Sequence, residues 1–570
     1  MPNRSRIAWT SAFLSLALLV SACSGKENGE NAENSPSPSA AASSNEGSAP
    51  AASGSTADDD LFLGKYDPPI EVSTVRVLGG DVKFFEGESI DNNVWTRYAK
   101  DQLGITIKNK WTVNSDQGKE KMNLSIVSGD LPDFYSVDAT QLHQLYEAGE
   151  IMDLTDLYDK YAMPAVKQYT EALTNGLNLV TFDGKMMSLP GGSATSDSSP
   201  MLWIRKDWLI KLNLPEPKTM ADVLAISKAF TTQDPDGNGK PDTFGLAMNK
   251  TLLLTNGGDA FGSLEGFFNG YHAYPQNWVK DKDGKLVYGS IQPEMKAALT
   301  QLQTMYKDGE LDKEFGVKNE TKEAELVAAG KIGMTYGLMY HTLGQLGDSR
   351  KNDPNADWQP YPIVSIDDSP ANPQTAASSI GSYYVVNKKA KHPEAFFKLA
   401  NLSVDMDSKP KEFSAAYNEV DGIQVWQYFP ITLGNPNQNL TAYHKVIAAL
   451  DSKDTTGFSA QQLDAYNKSL AVAQGSTDVT DWGFDKVFGK DSSYKVIDKY
   501  VTENLLKPSD YIYGPTETMT AKNATLQKME IETYTKIIMG EPIALFDKFV
   551  SDWKKLGGDQ ITAEVNAASK

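Results

Sequence analysis

Cysteine is almost missing from this chain, with one residue in 570. A single thiol excludes an intrachain disulfide and any thiolate metal cluster. The five histidines, His143, His272, His341, His392 and His444, stand far apart with no H-x-x-x-H pair, so the usual spacing of a zinc hydrolase is lacking. G-x-x-x-x-G-K-[ST], G-x-G-x-x-G and G-x-S-x-G are all absent, which leaves phosphate cradles and a nucleophile elbow without sequence support. Basic residues are in the minority: 54 Lys and Arg against 74 Asp and Glu give a formal charge of −20. A chain this acidic repels a phosphate backbone, and no basic run is interleaved with aromatics, so nucleic acid is not an expected partner. No apolar run reaches the roughly 20 residues of a spanning helix. What is present is 40 % hydrophobic residues at a mean hydropathy of −0.41. That is enough for a real core in roughly two to four domains.

The amino terminus reads as an address. Arg4 and Arg6 precede an apolar run from Ile7 to Val20 that has the length of a signal-peptide core. It ends in Leu19-Val20-Ser21-Ala22-Cys23, which matches the lipobox of bacterial lipoproteins. The expectation is a signal peptide over 1–22 and lipidation at Cys23, the only cysteine, in place of an ordinary leader with an incidental thiol. Two or three acyl chains (diacylglycerol and palmitate) anchor stably where one does not. Residues 24–60 are dominated by Ser, Ala, Gly, Asn and Pro and cannot bury enough apolar surface to offset ordering entropy. They are expected to be a flexible tether, placing the protein on the outer face of the cytoplasmic membrane, with a Gram-positive type of surface.

Residues 61–570 read as the folded part. Ile70–Leu78 (IEVSTVRVL) is a strand, Asn93–Leu103 a helix and Ile105–Val113 a second strand, an order that argues for an α/β domain with parallel strands. Thr219 with Asp222 forms a helix-start signal ahead of Val223, Ile226 and Phe230. Pro293 opens a helix with Met295, Leu299, Leu302 and Tyr306 on one face, stopped by Gly309. Pro542 opens another with Ile543, Phe546, Val550 and Trp553, stopped by Gly557-Gly558. Ile380–Val386 is a buried strand.

The most specific local signal is Asp234-Pro235-Asp236-Gly237-Asn238-Gly239-Lys240-Pro241-Asp242-Thr243. Oxygen side chains at alternate positions and Gly239 at the sharp turn fit the first half of a calcium loop. Asp234, Asp236, Asn238 and Asp242 are the expected side-chain ligands, Lys240 would offer its carbonyl, and Thr243 would help complete the shell. Gly245 stands where the bidentate Glu would be. The competing reading is an acidic surface turn, since Asp, Asn, Gly and Pro are also turn residues. The expected role of Ca2+ is structural.

Gly129-Asp130-Leu131-Pro132-Asp133, Gln144–Thr155 (QLYEAGEIMDLT), Leu202–Leu209 (LWIRKDWL), the acidic loop, Tyr288-Gly289-Ser290, Pro515–Met519 and the Phe546–Gly558 helix follow one another in an order that resembles extracellular solute-binding proteins of family 1. The resemblance is to the large lipoprotein branch that serves carbohydrate ABC importers. It implies a periplasmic-binding-protein-like type II fold: two α/β lobes joined at a hinge, with an interlobe ligand cleft that closes on the solute. Lobe 1 would take about 66–190 and a returning segment near 375–430, and lobe 2 about 191–370 and the C-terminal helices. The resemblance also implies a monomer that hands an oligosaccharide to permease subunits and catalyses nothing. A surface lipoprotein hydrolase or lyase, and a sugar-sensing co-receptor, are the alternatives.

Sugar sites pair aromatic platforms with planar polar groups. Trp203 and Arg205 alternate on one strand and share a face, serving either the cleft or a buried indole beside a surface arginine. Trp278 follows Pro275-Gln276-Asn277 in a loop without an evident packing reason, and the resemblance places it at the cleft. Tyr336 and Tyr340 lie where the family carries a cleft aromatic. Trp426 falls in an aperiodic stretch, and Trp95 suits either the ligand or the core.

Overall fold

The computed structural model describes residues 61–569 except 80–81, 254–260, 377, 407–408, 410, 419 and 421–422. The signal peptide, Cys23 and the tether therefore lie outside the described residues. The described residues form one compact unit. No helix among the described residues is long and apolar enough to cross a membrane.

The first lobe begins with β1 (Ile70–Leu78), which pairs in parallel with β2 (Ile105–Asn114), Ile70 opposite Ile105. The connection is the Val94–Leu103 helix. Asn93 caps it by accepting from the amides of Trp95 and Thr96, the Thr96 side chain returns to Asn93, and Gly104 closes it at φ 67°. Next comes β3 (Phe134–Val137), tied beside β1 where the Ser73 amide and hydroxyl both donate to Asp133 Oδ2, at 2.7 and 2.6 Å. β4 (Leu189–Gly192) ends the first pass through this lobe.

The second lobe is built on β5 (Met201–Arg205), β6 (Phe244–Leu246), β7 (Ile332–Gly337) and β8 (Trp358–Tyr361), in the order β8-β5-β7-β6. β5 runs antiparallel to both its neighbours, and only β6 and β7 are parallel. All five residues of β5 are buried because both sheet faces are covered. Leu202, Ile204 and Met334 pack into a core with the Met220–Thr232, Glu294–Asp308 and Glu517–Ile538 helices. Met201, Trp203 and Trp358 pack on the other side with helices from 438 to 502.

β9 (Ile380–Val386) then returns to the first lobe and inserts antiparallel between β3 and β4. The segment after it supplies Phe396, Phe397, Tyr428 and Phe429 to the same core as Val72, Trp95 and Ile105. A sheet of wholly parallel strands, as the opening β-α-β suggests, is thus confined to the β1–β2 pair.

Thr219 caps its helix with a reciprocal Asp222 bond, and the Glu294–Asp308 helix ends at Gly309 with φ 83°. One expected stop is instead a kink. Past Trp553 the chain makes a wide turn through Lys554–Gly558, with Gly557 at φ 143°, and continues as the Asp559–Ala568 helix. The positive φ breaks the hydrogen-bond ladder without ending the helical run.

Candidate ligand cleft

Three crossovers join the lobes: 193–200 after β4, 362–379 after β8, and 430–437 before the Gln438–Ser452 helix. They run side by side. Ser193 N donates to Ser379 O at 3.1 Å and Ala194 N to Pro436 O at 3.0 Å, while Ala376 N donates to Ser198 Oγ at 3.0 Å. A Cβ at Gly192 would lie 1.7 Å from Ser379 O, so this close approach of backbones requires glycine. Asp197, in the first crossover, accepts from Asn439 Nδ2 at 3.1 Å, and burial raises its carboxyl above the usual range. Three hydrogen-bonded straps between two separately cored lobes form a hinge.

Two of the expected aromatics stand exposed beside these straps. Trp426, 42 % exposed, sits in a short turn (Val425–Tyr428) just before the third crossover. Tyr340, 36 % exposed, follows β7, whose last residue Gly337 pairs with Met201 at the end of the first crossover. Trp426 is held by its lobe through its backbone, its amide donating to Asn418 O at 3.1 Å. The next two carbonyls are held by Arg76 on β1, whose Nη1 donates to Tyr428 O at 2.7 Å and Nη2 to Gln427 O. Burial lowers the Arg76 guanidinium to about 10, and among the described residues no carboxylate is in ion-pair range of it. Arg76 was not among the candidates; one charged residue on the same strand face as Val72 and Thr74 was the available signal.

The other expected ligand residues are built into the cores. Trp203 is fully buried with its indole N–H donating to Leu338 O at 3.1 Å. Arg205 is buried as well, in place of the surface or cleft position expected. Its Nε and Nη2 donate to Asp207 at 2.8 and 2.6 Å, Nη2 reaches Asp353 at 2.9 Å, and its plane lies 4.7 Å from the Trp208 ring. Trp278 has a packing reason: it opens a short hairpin with Leu286–Tyr288 and its ring lies 5.4 Å from Tyr288 and 6.4 Å from Tyr511. Tyr336 is buried under the Glu265–Gly270 turn, where a Cβ on Gly266 would meet its ring at 2.3 Å. Trp95 follows its core reading, with its indole N–H donating to Tyr417 O at 3.0 Å.

The acidic loop closes on itself. Asp234 accepts from the amides of Asn238 and Gly239 at 3.1 and 3.0 Å, and the Lys240 amide donates to Asn238 Oδ1 at 2.8 Å. The Asn238 amide group bridges Asp236 and Asp242 at 2.6 and 3.0 Å, and the Lys331 ammonium bridges the same two carboxylates at 3.1 and 2.8 Å. Those bonds, Lys331 first, hold the Asp242 carboxyl below the usual range. Oxygen donors are thus turned toward N–H hydrogens, the positive partner a hard cation would replace. Among the described residues no three Asp, Glu, His or Cys side chains stand close enough to hold a metal as they are. The Thr243 hydroxyl, expected to help hold an ion, is buried and donates instead to Phe230 O at 2.7 Å.

The model of the bacterial extracellular solute-binding protein family matches residues 86–406. The chain belongs to that family. It is 23 % identical over 458 residues to a polygalacturonan/rhamnogalacturonan-binding protein of Bacillus subtilis, covering 79 % of this chain and 83 % of the relative. It is 25 % identical over 477 residues to a lipoprotein, LipO, of the same organism, covering 81 % and 86 %. Among solved structures it is similar to a Streptococcus pneumoniae ABC-transporter substrate-binding protein, FusA, in complex with kestose. There the TM-score is 0.60 at 18 % identity, covering 88 % of this chain and 99 % of the other. The fold is accordingly that of type II periplasmic binding proteins.

Proposed function

We propose that this chain captures an extracellular oligosaccharide between its lobes and delivers it to an ABC importer. The observation that carries this reading is the hinge itself, three straps hydrogen-bonded side by side, with Trp426 and Tyr340 exposed next to them on different lobes. Closure about such a hinge brings two aromatic platforms onto one ligand and removes it from water. A kestose-bound neighbour and a polygalacturonan/rhamnogalacturonan-binding relative support a carbohydrate ligand. The chain binds and does not turn over its ligand, and Cys23 carries the lipid that tethers it outside the membrane. The test is a thermal-shift screen against defined fructan, galacturonan and milk-type oligosaccharides, followed by calorimetry. A rise with one glycan class names the ligand; silence across all classes refutes the reading.

The acidic loop takes calcium as a structural ion, with Asp234, Asp236, Asn238 and Asp242 turned onto it and Lys331 displaced from the outer oxygens. An ion bound only to the folded state stabilises it by mass action, by about 2.7 kcal/mol at a hundred times the dissociation constant. Melting with excess EDTA and again after calcium is restored measures this. An unchanged midpoint, with metal content verified, leaves the loop as a turn closed by Lys331.

A further inference from the structure

On the outer flank of the Val94–Leu103 helix, away from its buried Trp95, Thr96, Ala99 and Leu103, a cavity of about 660 Å³ opens to solvent. That volume is within the usual range for a small-molecule site. Its apolar wall is three rings in mutual contact: Tyr98 to Tyr417 at 4.8 Å, Tyr98 to Phe413 at 5.7 Å, and Phe413 to Tyr417 at 5.2 Å. Phe413 is 40 % exposed. The polar lining is Arg97, Asp101, Gln102 and Lys409, of which Arg97 is paired with Glu88 and Lys409 with Asp405. Aromatic rings beside planar donors and acceptors suit a sugar, with its apolar C–H faces and rim of hydroxyls.

The cavity is joined to the hinge side by one peptide. Tyr417 rests on Trp95, 5.2 Å away, and the carbonyl of the next residue, Asn418, accepts the Trp426 amide. Phe413, Tyr417 and Trp426 thus come from one segment of the first lobe, which is tied back to itself through Asn418 and rests on the Val94–Leu103 helix through Trp95.

We infer that Tyr98, Phe413 and Tyr417 form an accessory subsite for a glycan chain that extends out of the cleft past Trp426. The inference rests on the oligosaccharide reading above and deepens it: the natural ligand is a longer oligomer with one end outside the closed lobes. Short oligomers fill the cleft alone, and longer ones add contacts on the outer flank.

The test is calorimetry of the full-length chain against fructan and galacturonan ladders from trimer upward. Wild type should gain about tenfold in affinity beyond a threshold length, an increment of about 1.4 kcal/mol. Phe413→Ala should remove that gain and leave the trimer unchanged, and Asp101→Ala should do the same through the polar wall. Both side chains lie at the surface, so melting curves should stay close to wild type. Affinity independent of length, or variants that alter self-association instead of long-oligomer binding, overturns the subsite while leaving the cleft reading intact. Wild-type silence toward both ladders overturns the cleft reading and this inference with it.

Discussion

In the second lobe, Trp203 and Trp278 are 0 % and 6 % exposed, whereas at the edge of the first lobe Trp426 is 42 % exposed. The residue type is the same and the surroundings are opposite. The Trp203 indole N–H is satisfied by Leu338 O, and the Trp278 ring packs against two tyrosines, one of which stacks on Trp553 at 5.0 Å. Trp426 is held by its backbone, and among the described residues its indole has no ring or hydrogen-bond partner. A buried indole with a partnered N–H or a complete ring shell stabilises the fold. An indole 42 % exposed, whose main chain is tied to Asn418, keeps part of its ring in reach of a ligand.

The largest effect that could break this contrast is Trp278→Ala. Truncating a buried aromatic should cost about 3–5 kcal/mol, read as a lower urea midpoint. Trp426→Ala should cost less than about 0.5 kcal/mol in the same titration. Equal losses would mean that burial does not separate the two sets.

Next in size is a pH effect inside the same buried region. Tyr288, against Trp278, donates to Glu530 Oε2 at 3.1 Å, and Ser290 Oγ donates to Oε1 at 2.8 Å. Burial raises the Glu530 carboxyl to about 7, and the phenols of Tyr288 and Tyr534 that face it are pushed well above their usual range, burial again coming first. The folded state therefore holds a proton that the unfolded chain has released. That stability is fully present below about pH 4.5 and is lost as the pH rises to about 7, an amount of about 3 kcal/mol. Glu530→Gln cannot ionise. Its unfolding free energy, followed between pH 4.5 and 8, should fall less steeply than wild type, and parallel curves would show that Glu530 does not titrate in this window.

Local rules made much of this architecture legible. The β1–helix–β2 unit, the Thr219 cap and the Gly309 stop each depend on neighbours a few residues apart, and all are as the sequence implies. The role of Arg205 was half legible: Asp207 is two residues away, but Asp353 is brought in by the fold. Trp278 was illegible for the same reason, since its amide donates to Ser509 Oγ and its ring meets Tyr511, more than 200 residues on. An aromatic after Pro, Gln and Asn reads as exposed until the chain that covers it is known. The antiparallel insertion of β9 between β3 and β4 likewise depends on a return across the hinge, which strand composition does not encode. Of the aromatics expected at the cleft, Trp426 and Tyr340 keep solvent access because neither lies within a regular strand or a long helix, where periodicity assigns a face to a core.

The smallest effect on stability carries the sharpest functional consequence. Trp426→Ala and Tyr340→Ala remove half-exposed rings from turns beside the hinge, so each variant should melt close to wild type. If the two rings close on one ligand from different lobes, each loss should weaken oligosaccharide binding by about tenfold, mostly through faster release. Because both contacts are completed only on closure, the double variant should fall short of the hundredfold that independent sites would give. Stopped-flow measurement of dissociation for the four proteins of this cycle decides the point. Additive losses would place the rings at separate contacts on the two lobes, and wild-type release rates in both single variants would remove them from the site.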